Sequence, residues 1–323
     1  MYKPLARFGL TVCCFLEIIT LNKQGVQLQQ VERLARAGKL ARLLHNPMRY
    51  CYAMMRSKLI YPLTHKGVLR RAPLFFGGEM KVLLPAATDI YLTGGKTHSS
   101  EIRLAKYMIA NLKPGDVFLD IGAHFGYFTL LAASLVGNTG MVYAIEPARE
   151  TFRLLKDNAA GQPNTRLFHN AVSDRNGIVS FYEFPVLYSE YNTLEVEKFL
   201  KEAWIKKYNP QKTEVQAVTI DDFLKDNDFI PSMIKIDVEG AEKQAISGGA
   251  KTWTTQSPAL VMEYLDEGDT SSYAAAAALM YRHGYKSYVI GERGDLIEAG
   301  NILSFMRGHN ITSENIVFKK SNN

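Results

Sequence analysis

Three cysteines in 323 residues are too few to staple a fold, and they are badly placed for it. Cys13 and Cys14 are adjacent, Cys51 is the last, and the number is odd. A disulfide scaffold is therefore excluded, and a reducing, cytoplasmic setting is expected. The chain also lacks any run of ~18 uncharged apolar residues. With a mean hydropathy of −0.11, this excludes a polytopic membrane protein. There is no internal repeat, and no low-complexity tract beyond the helical run Ala274–Ala278. What remains is ordinary: 47% hydrophobic and 22% charged residues, enough to bury a full core. The length predicts two domains, or one large domain with an extension.

Acidic residues are nearly missing from the N-terminal part. Residues 1–71 hold 13 Lys and Arg against two acidic residues, net +11, which leaves 25 against 30, net −5, for residues 72–323. The larger part thus gives a nucleic-acid groove no electrostatic support, and nucleic acid is not an expected partner. In the basic part, Phe8–Leu21 is mostly apolar, but Glu17 interrupts it and no small-x-small cleavage site follows. It reads as a structural or interfacial helix, with a membrane anchor and a signal segment as alternatives. Further on, Arg33, Arg36, Lys39 and Arg42 recur every three residues and predict a basic stripe along one helix over residues 28–45. Asn46-Pro47 stops that helix and caps another, whose apolar face is Met48, Tyr52, Met55 and Leu59. Two readings of residues 1–71 stay open. One is a helical hairpin packed on the main domain. The other is peripheral docking to an anionic membrane, at its inner face.

Residues 72–323 alternate. Lys81–Pro85 and Asp89–Thr93 read as short strands, and a helix runs from Ser99 or Ser100 to about Leu112. Strands are expected at Val117–Ile121, Met141–Ile145, Arg166–Asn170, Met233–Ile236, Ala259–Met262, Tyr285–Ile290 and Asn315–Lys319, with helices between most of them. This spacing predicts an α/β fold, a mostly parallel sheet with helices on both faces. An insertion over about 177–219 interrupts it, with strands at Ile178–Phe184, Leu187–Tyr191 and Thr213–Val218 and a helix near Val196–Trp204. It is placed to shape a substrate pocket.

Three segments carry chemistry. Asp120-Ile121-Gly122-Ala123-His124-Phe125-Gly126 follows an apolar strand and opens a helix. The glycines allow a tight turn and close approach, the helix start favours an anion, and Asp120 can attract an ammonium group. An amino-acid moiety fits both. Glu146-Pro147 ends the next strand, where a carboxylate can accept both hydrogens of a ribose diol. Together they predict a nucleoside-containing cofactor. The Gly-x-Gly-x-x-Gly of dinucleotide sites is missing, because His124 stands where its second glycine would be. That favours S-adenosylmethionine over a pyrophosphate-bearing cofactor. The third segment, Lys235-Ile236-Asp237-Val238-Glu239-Gly240-Ala241-Glu242, sits at a later strand end, beside Glu263 at the end of the following strand. Glu239 and Glu242 read equally well as carboxylates at a helix start.

These segments, with Asn170–Asp174, resemble the FkbM-type methyltransferase family in order and spacing over about residues 97–265. The resemblance implies a class I S-adenosylmethionine-dependent methyltransferase fold, with O-methylation of a sugar or sugar-bearing natural product. It implies cofactor roles for Asp120, Gly122, Ala123, Gly126 and Glu146, and an adenine-side position for Ala171 and Asp174. A sugar hydroxyl needs a base as it attacks. Asp237, Glu239 and Glu263 are the candidates, with His98 behind them. Alternatively, Asp237 and Glu263 hold Mg²⁺. Two other readings remain: methylation of nucleic-acid or protein nitrogen, though the Asn/Asp-Pro-Pro-Tyr/Phe string common there is absent, and a non-catalytic cofactor-binding or scaffold protein.

Overall fold

The computed structural model describes residues 23–194 and 210–320. Phe8–Leu21, Cys13, Cys14 and the helix expected near Val196–Trp204 lie outside the described residues.

The basic segment forms several helices. α1 covers residues 23–36, and Gly38 separates it from α2 (Lys39–His45). The four basic residues at three-residue spacing therefore fall on two helices and make no single stripe. Arg36 pairs with Glu32 and Glu292, and Arg42 donates to the carbonyls of Leu34 and Ala35. α3 (Pro47–Met55) starts as expected, with Asn46 Oδ1 accepting from the Arg49 amide at 3.1 Å. It continues through a π-helical turn (Arg56–Ile60) into α4 (Tyr61–Thr64). α1 is docked on the main body. Leu28 and Val31 share a core with Met108 and Leu131, and Glu32 pairs with Lys106 at 2.7 Å.

β1 (Val68–Pro73) and β2 (Glu79–Leu84) form an antiparallel hairpin, so a division after residue 71 falls inside a strand. The strand expected at Asp89–Thr93 is instead helix α5 (Thr88–Thr93). Ile90, Tyr91 and the threonines suit a strand by propensity. Tertiary context overrides them. Ile90 and Tyr91 are buried, and Gly94 at φ 78° closes the helix with its amide on the Ile90 carbonyl. α6 (Ser99–Asn111) leads into the sheet.

The alternating part runs β3 (Val117–Ile121), α7 (Tyr127–Val136), β4 (Met141–Ile145), α8 (Arg149–Ala159) and β5 (Thr165–Phe168). The insertion follows with β6 (Ala171–Val172), β7 (Gly177–Glu183), a 3₁₀ turn (Val186–Tyr191) where a strand was expected, and β8 (Gln211–Val218). Then come α9 (Ile220–Asn227), β9 (Met233–Ile236), α10 (Glu242–Ser247), α11 (Ala250–Thr255), β10 (Ala259–Leu265), α12 (Ser272–Arg282), β11 (Tyr285–Ile290), β12 (Leu296–Glu298), α13 (Ile302–Gly308) and β13 (Ser313–Lys320).

The main sheet has the order β12-β11-β13-β10-β9-β3-β4-β5. β10, β9, β3, β4 and β5 are parallel, and β13 runs antiparallel between β10 and β11. Its central strands, such as β3 and β9, are buried on both faces, as covered parallel sheets require. Phe118, Val261 and Val317 join the core under α6 and α7. Their neighbours Leu119, Leu260 and Ile316 join the core under α9, α12 and α13. β6, β8 and β7 make a separate small sheet.

Strand order reverses at β3, between β4 and β9, the place where open α/β sheets bind ligands. Two loops meet there. The Asp237 amide donates to the Ile121 carbonyl at 3.0 Å. Gly122 stands at φ 79°, and a Cβ on it would lie 1.8 Å from the Asp237 carbonyl oxygen. Gly122→Ala should therefore cost roughly 2–4 kcal/mol of stability. Gly177 has a φ of 118° with open space around its missing Cβ. Gly177→Ala carries the backbone strain alone, about 1–2 kcal/mol. Urea denaturation of the two variants isolates the collision, and equal losses would contradict it.

Candidate active site

A cavity of about 530 Å³ opens at the ends of β3, β4, β9 and β10. Its first wall is the loop after β3. The amides of Gly122 and Ala123 donate to the Ile145 carbonyl at 3.0 and 3.1 Å, folding this loop onto the end of β4. Glu146 then locks it. One carboxylate oxygen accepts from the His124 amide and the other from the Ala148 amide, both at 2.9 Å. Burial pushes this carboxyl up to about 7. Gly126, at φ 92°, meets a protein neighbour: a Cβ there would lie 2.6 Å from Leu155.

The opposite wall is acidic. Asp237, Glu239 and Glu263 each bring a carboxylate oxygen within 4.8 Å of the others. Their environments differ. Burial alone would raise Asp237, but the ammonium groups of Lys235 and Lys96 outweigh it and hold the carboxyl below the usual range. Lys235 Nζ lies 2.9 Å from Asp237 and 3.8 Å from Asp120. Glu263 is pushed the other way, up to about 8, by burial and by the negative charge of Asp237, while Ser313 donates to it at 3.0 Å. Glu242 has a structural part. It is fully buried and accepts from the amides of Val238 and Gly240, which fixes the loop that carries Asp237 and Glu239.

The insertion closes the cavity over both loops. Ser189 Oγ lies 3.0 Å from His124 Nε2, and Thr193 Oγ1 donates to the Glu239 carbonyl at 2.8 Å. His124 and Glu239 both have left-handed backbones, φ 52° and 53°, unusual for non-glycine residues. Burial holds the His124 imidazole down to about 3, so it stays neutral at physiological pH.

The model for the "Methyltransferase FkbM domain" matches residues 120–287, just over half of the chain. The chain belongs to the FkbM methyltransferase family. Among curated proteins it is 25% identical over 189 residues to "2-O-methyltransferase NoeI" of Sinorhizobium fredii, which covers 55% of this chain and 75% of that protein. It is 41% identical over 59 residues to a "Probable cobalt-precorrin-6B C(15)-methyltransferase (decarboxylating)" of Saccharolobus solfataricus. That match covers 18% of this chain and 30% of that protein. Among solved structures it is similar to "Methyltransferase FkbM" of Methylobacillus flagellatus, at 14% identity and a TM-score of 0.40, over 86% of this chain and 60% of that one.

Within this FkbM-family chain, Gly122, Ala123, Glu146, Ala171, Asp237, Glu239 and Glu263 all line the cavity. Three residues singled out from the sequence do not. Asp120 is buried beneath the loop, accepting from Thr129 Oγ1 at 2.6 Å and facing Lys235. Gly126 is turned to Leu155. Asp174 is carried to the surface because β6 ends at Val172 and the chain turns towards β7, and it lies there against Ser173 and Arg175. His98 reaches the rim, exposed, with Nδ1 2.8 Å from Ser100 Oγ. Sequence reasoning missed the cations. Lys96 and Lys235 both lie over the Phe128 ring, at 5.7 and 5.5 Å, and Lys96 pairs with Glu101. Lys235 stood inside a recognised string, but nothing marked Lys96 or Glu101.

The raised Glu263 carboxyl has a consequence for stability. Its folded-state value lies above the unfolded one, so rising pH between the usual carboxylate range and about 8 favours the unfolded chain. Glu263→Gln should match the parent's melting temperature near pH 5 and exceed it progressively towards pH 9. A constant difference across that range would contradict the assignment.

Proposed function

We propose that this protein is an S-adenosylmethionine-dependent O-methyltransferase, cytoplasmic, acting on a hydroxyl of a sugar in a polysaccharide, glycolipid or glycosylated natural product. The observation that carries the reading is the carboxylate cluster at the cavity wall, where Asp237, Glu239 and Glu263 bring oxygens within 4.8 Å of one another opposite Glu146. Family membership supports methyl transfer. The printed activity of the Sinorhizobium relative supports an oxygen acceptor.

The cavity residues fit the cofactor. Each Glu146 oxygen spends one lone-pair direction on a backbone amide, which leaves one on each for a ribose diol. Ala171, Val172 and Phe181 offer an apolar wall for a base. When bound, S-adenosylmethionine supplies a methyl group on a positively charged sulfur with a good leaving group. The chain then has to orient the acceptor and take its proton. A base works best when its pKa lies near the operating pH, which suits Glu263 and not Asp237. Asp237 keeps its charge through Lys235, and Asp120 acts from below by holding Lys235. Mg²⁺ would find three oxygens here, but Lys235 already balances Asp237, so the base reading is preferred to the metal one.

Two measurements test this reading. Glu146→Ala should cost about 1.5–3 kcal/mol of S-adenosylmethionine binding, because charge-assisted hydrogen bonds are lost. In the parent, affinity should fall as pH drops through about 7, because the protonated carboxyl accepts a diol poorly. Calorimetry showing neither effect in a folded variant would sink the assignment. With labelled cofactor and glycan extracts, Glu263→Gln should lower kcat by roughly 10²-fold or more. Cofactor affinity should be kept, and EDTA should leave the parent's turnover unchanged. Loss with EDTA and recovery with Mg²⁺ would turn the carboxylates into metal ligands. Label on protein or RNA nitrogen, or bound cofactor without any transfer, would overturn the acceptor class.

A further inference from the structure

The α2–α4 segment turns a row of large apolar side chains to water. Leu40, Leu44, Met48, Leu59 and Leu63 are 64–85% exposed, and Met55 is 41% exposed. Their spacings of four and seven residues keep Met48, Met55, Leu59 and Leu63 on one side of the helix that runs from Pro47 to Thr64. Ala53 and Tyr61, on the other side, are buried against the protein. Single exposed leucines are ordinary, but a contiguous row marks an interaction surface.

Charge identifies the partner. Residues 33–78 contain ten Lys and Arg and no Asp or Glu. Lys39, Lys58 and Lys66 are exposed near the row, as are Arg70, which lies over the Tyr52 ring, and Arg71, which pairs with Glu79 of β2 at 3.6 Å. A second copy of this chain, row against row, would bring two such basic segments together. An anionic bilayer complements both features, taking the apolar row below its headgroups and the basic side chains against its phosphates. No helix among the described residues is long and apolar enough to cross a membrane, so the segment would lie in the interface. It also abuts the cavity. Arg49 donates to the Tyr91 carbonyl on α5 at 3.3 Å, the Tyr52 and Tyr91 rings are 6.3 Å apart, and Asp89 and Ile90 of α5 line the cavity.

We propose that α2–α4 seats the protein on the surface of an anionic membrane, with the α5 edge of the cavity beside the lipid. The test needs no methyl transfer. The full chain is floated with vesicles of phosphatidylcholine alone and with vesicles that also contain phosphatidylglycerol. Binding is expected to the mixed vesicles only, with release at high salt. The triple substitution Met48→Ser, Leu59→Ser, Leu63→Ser touches exposed side chains only. It should leave the melting temperature unchanged and lower vesicle partitioning by about tenfold or more. Lys39→Glu with Lys58→Glu should also weaken it. The proposal falls if the parent does not float, if it binds neutral vesicles equally, or if the triple variant floats as well as the parent. It also falls if sedimentation shows a dimer that the triple variant dissolves, since the row would then belong to a second copy.

Discussion

The loops after β3 and β9 come so close that neither can be described without the other. Gly122 has no side chain because the Asp237 backbone occupies that space, and the Asp237 amide closes the gap by bonding to Ile121. This contact sets the distance between the two walls of the cavity. Glu146 is fixed to the first wall by the His124 amide, and Asp237 and Glu239 are fixed to the second by Glu242. The glycine motif is usually read as room for a ligand. Here Gly122 and Gly126 make room first for protein, and the ligand side follows from the backbone path they permit.

On that frame, three carboxylates within 4.8 Å of one another are kept different by their neighbours. Equal environments would leave them sharing protons indistinguishably. Lys235 breaks the symmetry by lying between Asp120 and Asp237, which keeps Asp237 charged. That fixed charge, added to burial, raises Glu263. Buried ion pairs of this kind contribute little net stability, because desolvation offsets their attraction. Their worth lies in separating the carboxyls, so that one stays an anion while another can take up a proton near neutral pH.

The sheet was legible because buried parallel strands alternate with helices, and apolar runs such as Val117–Ile121 and Met233–Ile236 have few other readings. Glu146 and Asp237 were legible because each directly follows a strand whose C-terminal end must face the cleft, and Glu263 because it lies two residues from the end of β10, which extends past the expected Met262. The failures have local causes. α5 is built from strand-forming residues and is helical only because Ile90 and Tyr91 are buried together. β1 lay hidden in a basic segment, since Leu69, Arg70 and Arg71 face outward and show no alternation. Asp174 lies two residues past Val172, the last residue of its segment to line the cavity. Lys96 and Glu101 belong to no motif, and only the fold brings them to Phe128 and Asp237.

The two sides of the cavity also differ in origin. Gly122, Glu146, Ala171, Asp237 and Glu263 all fall within the family match at 120–287. Asp89, Lys96, Glu101, Ser313 and Asn315 line the same cavity from outside it. The residues proposed for cofactor and base thus lie within the family match. Outside the match the wall comes from the α5–α6 stretch and from β13, while the insertion that reaches His124 and Glu239 lies within it. An acceptor has to be recognised by groups that touch it, and part of the cavity's surface belongs to elements outside the family match. The reaction can therefore be read from the family and the acceptor cannot. The segment that carries Asp89 and Ile90 is held to α3 through Arg49 and Tyr91, so it joins the cavity wall directly to the helix that carries the exposed apolar row.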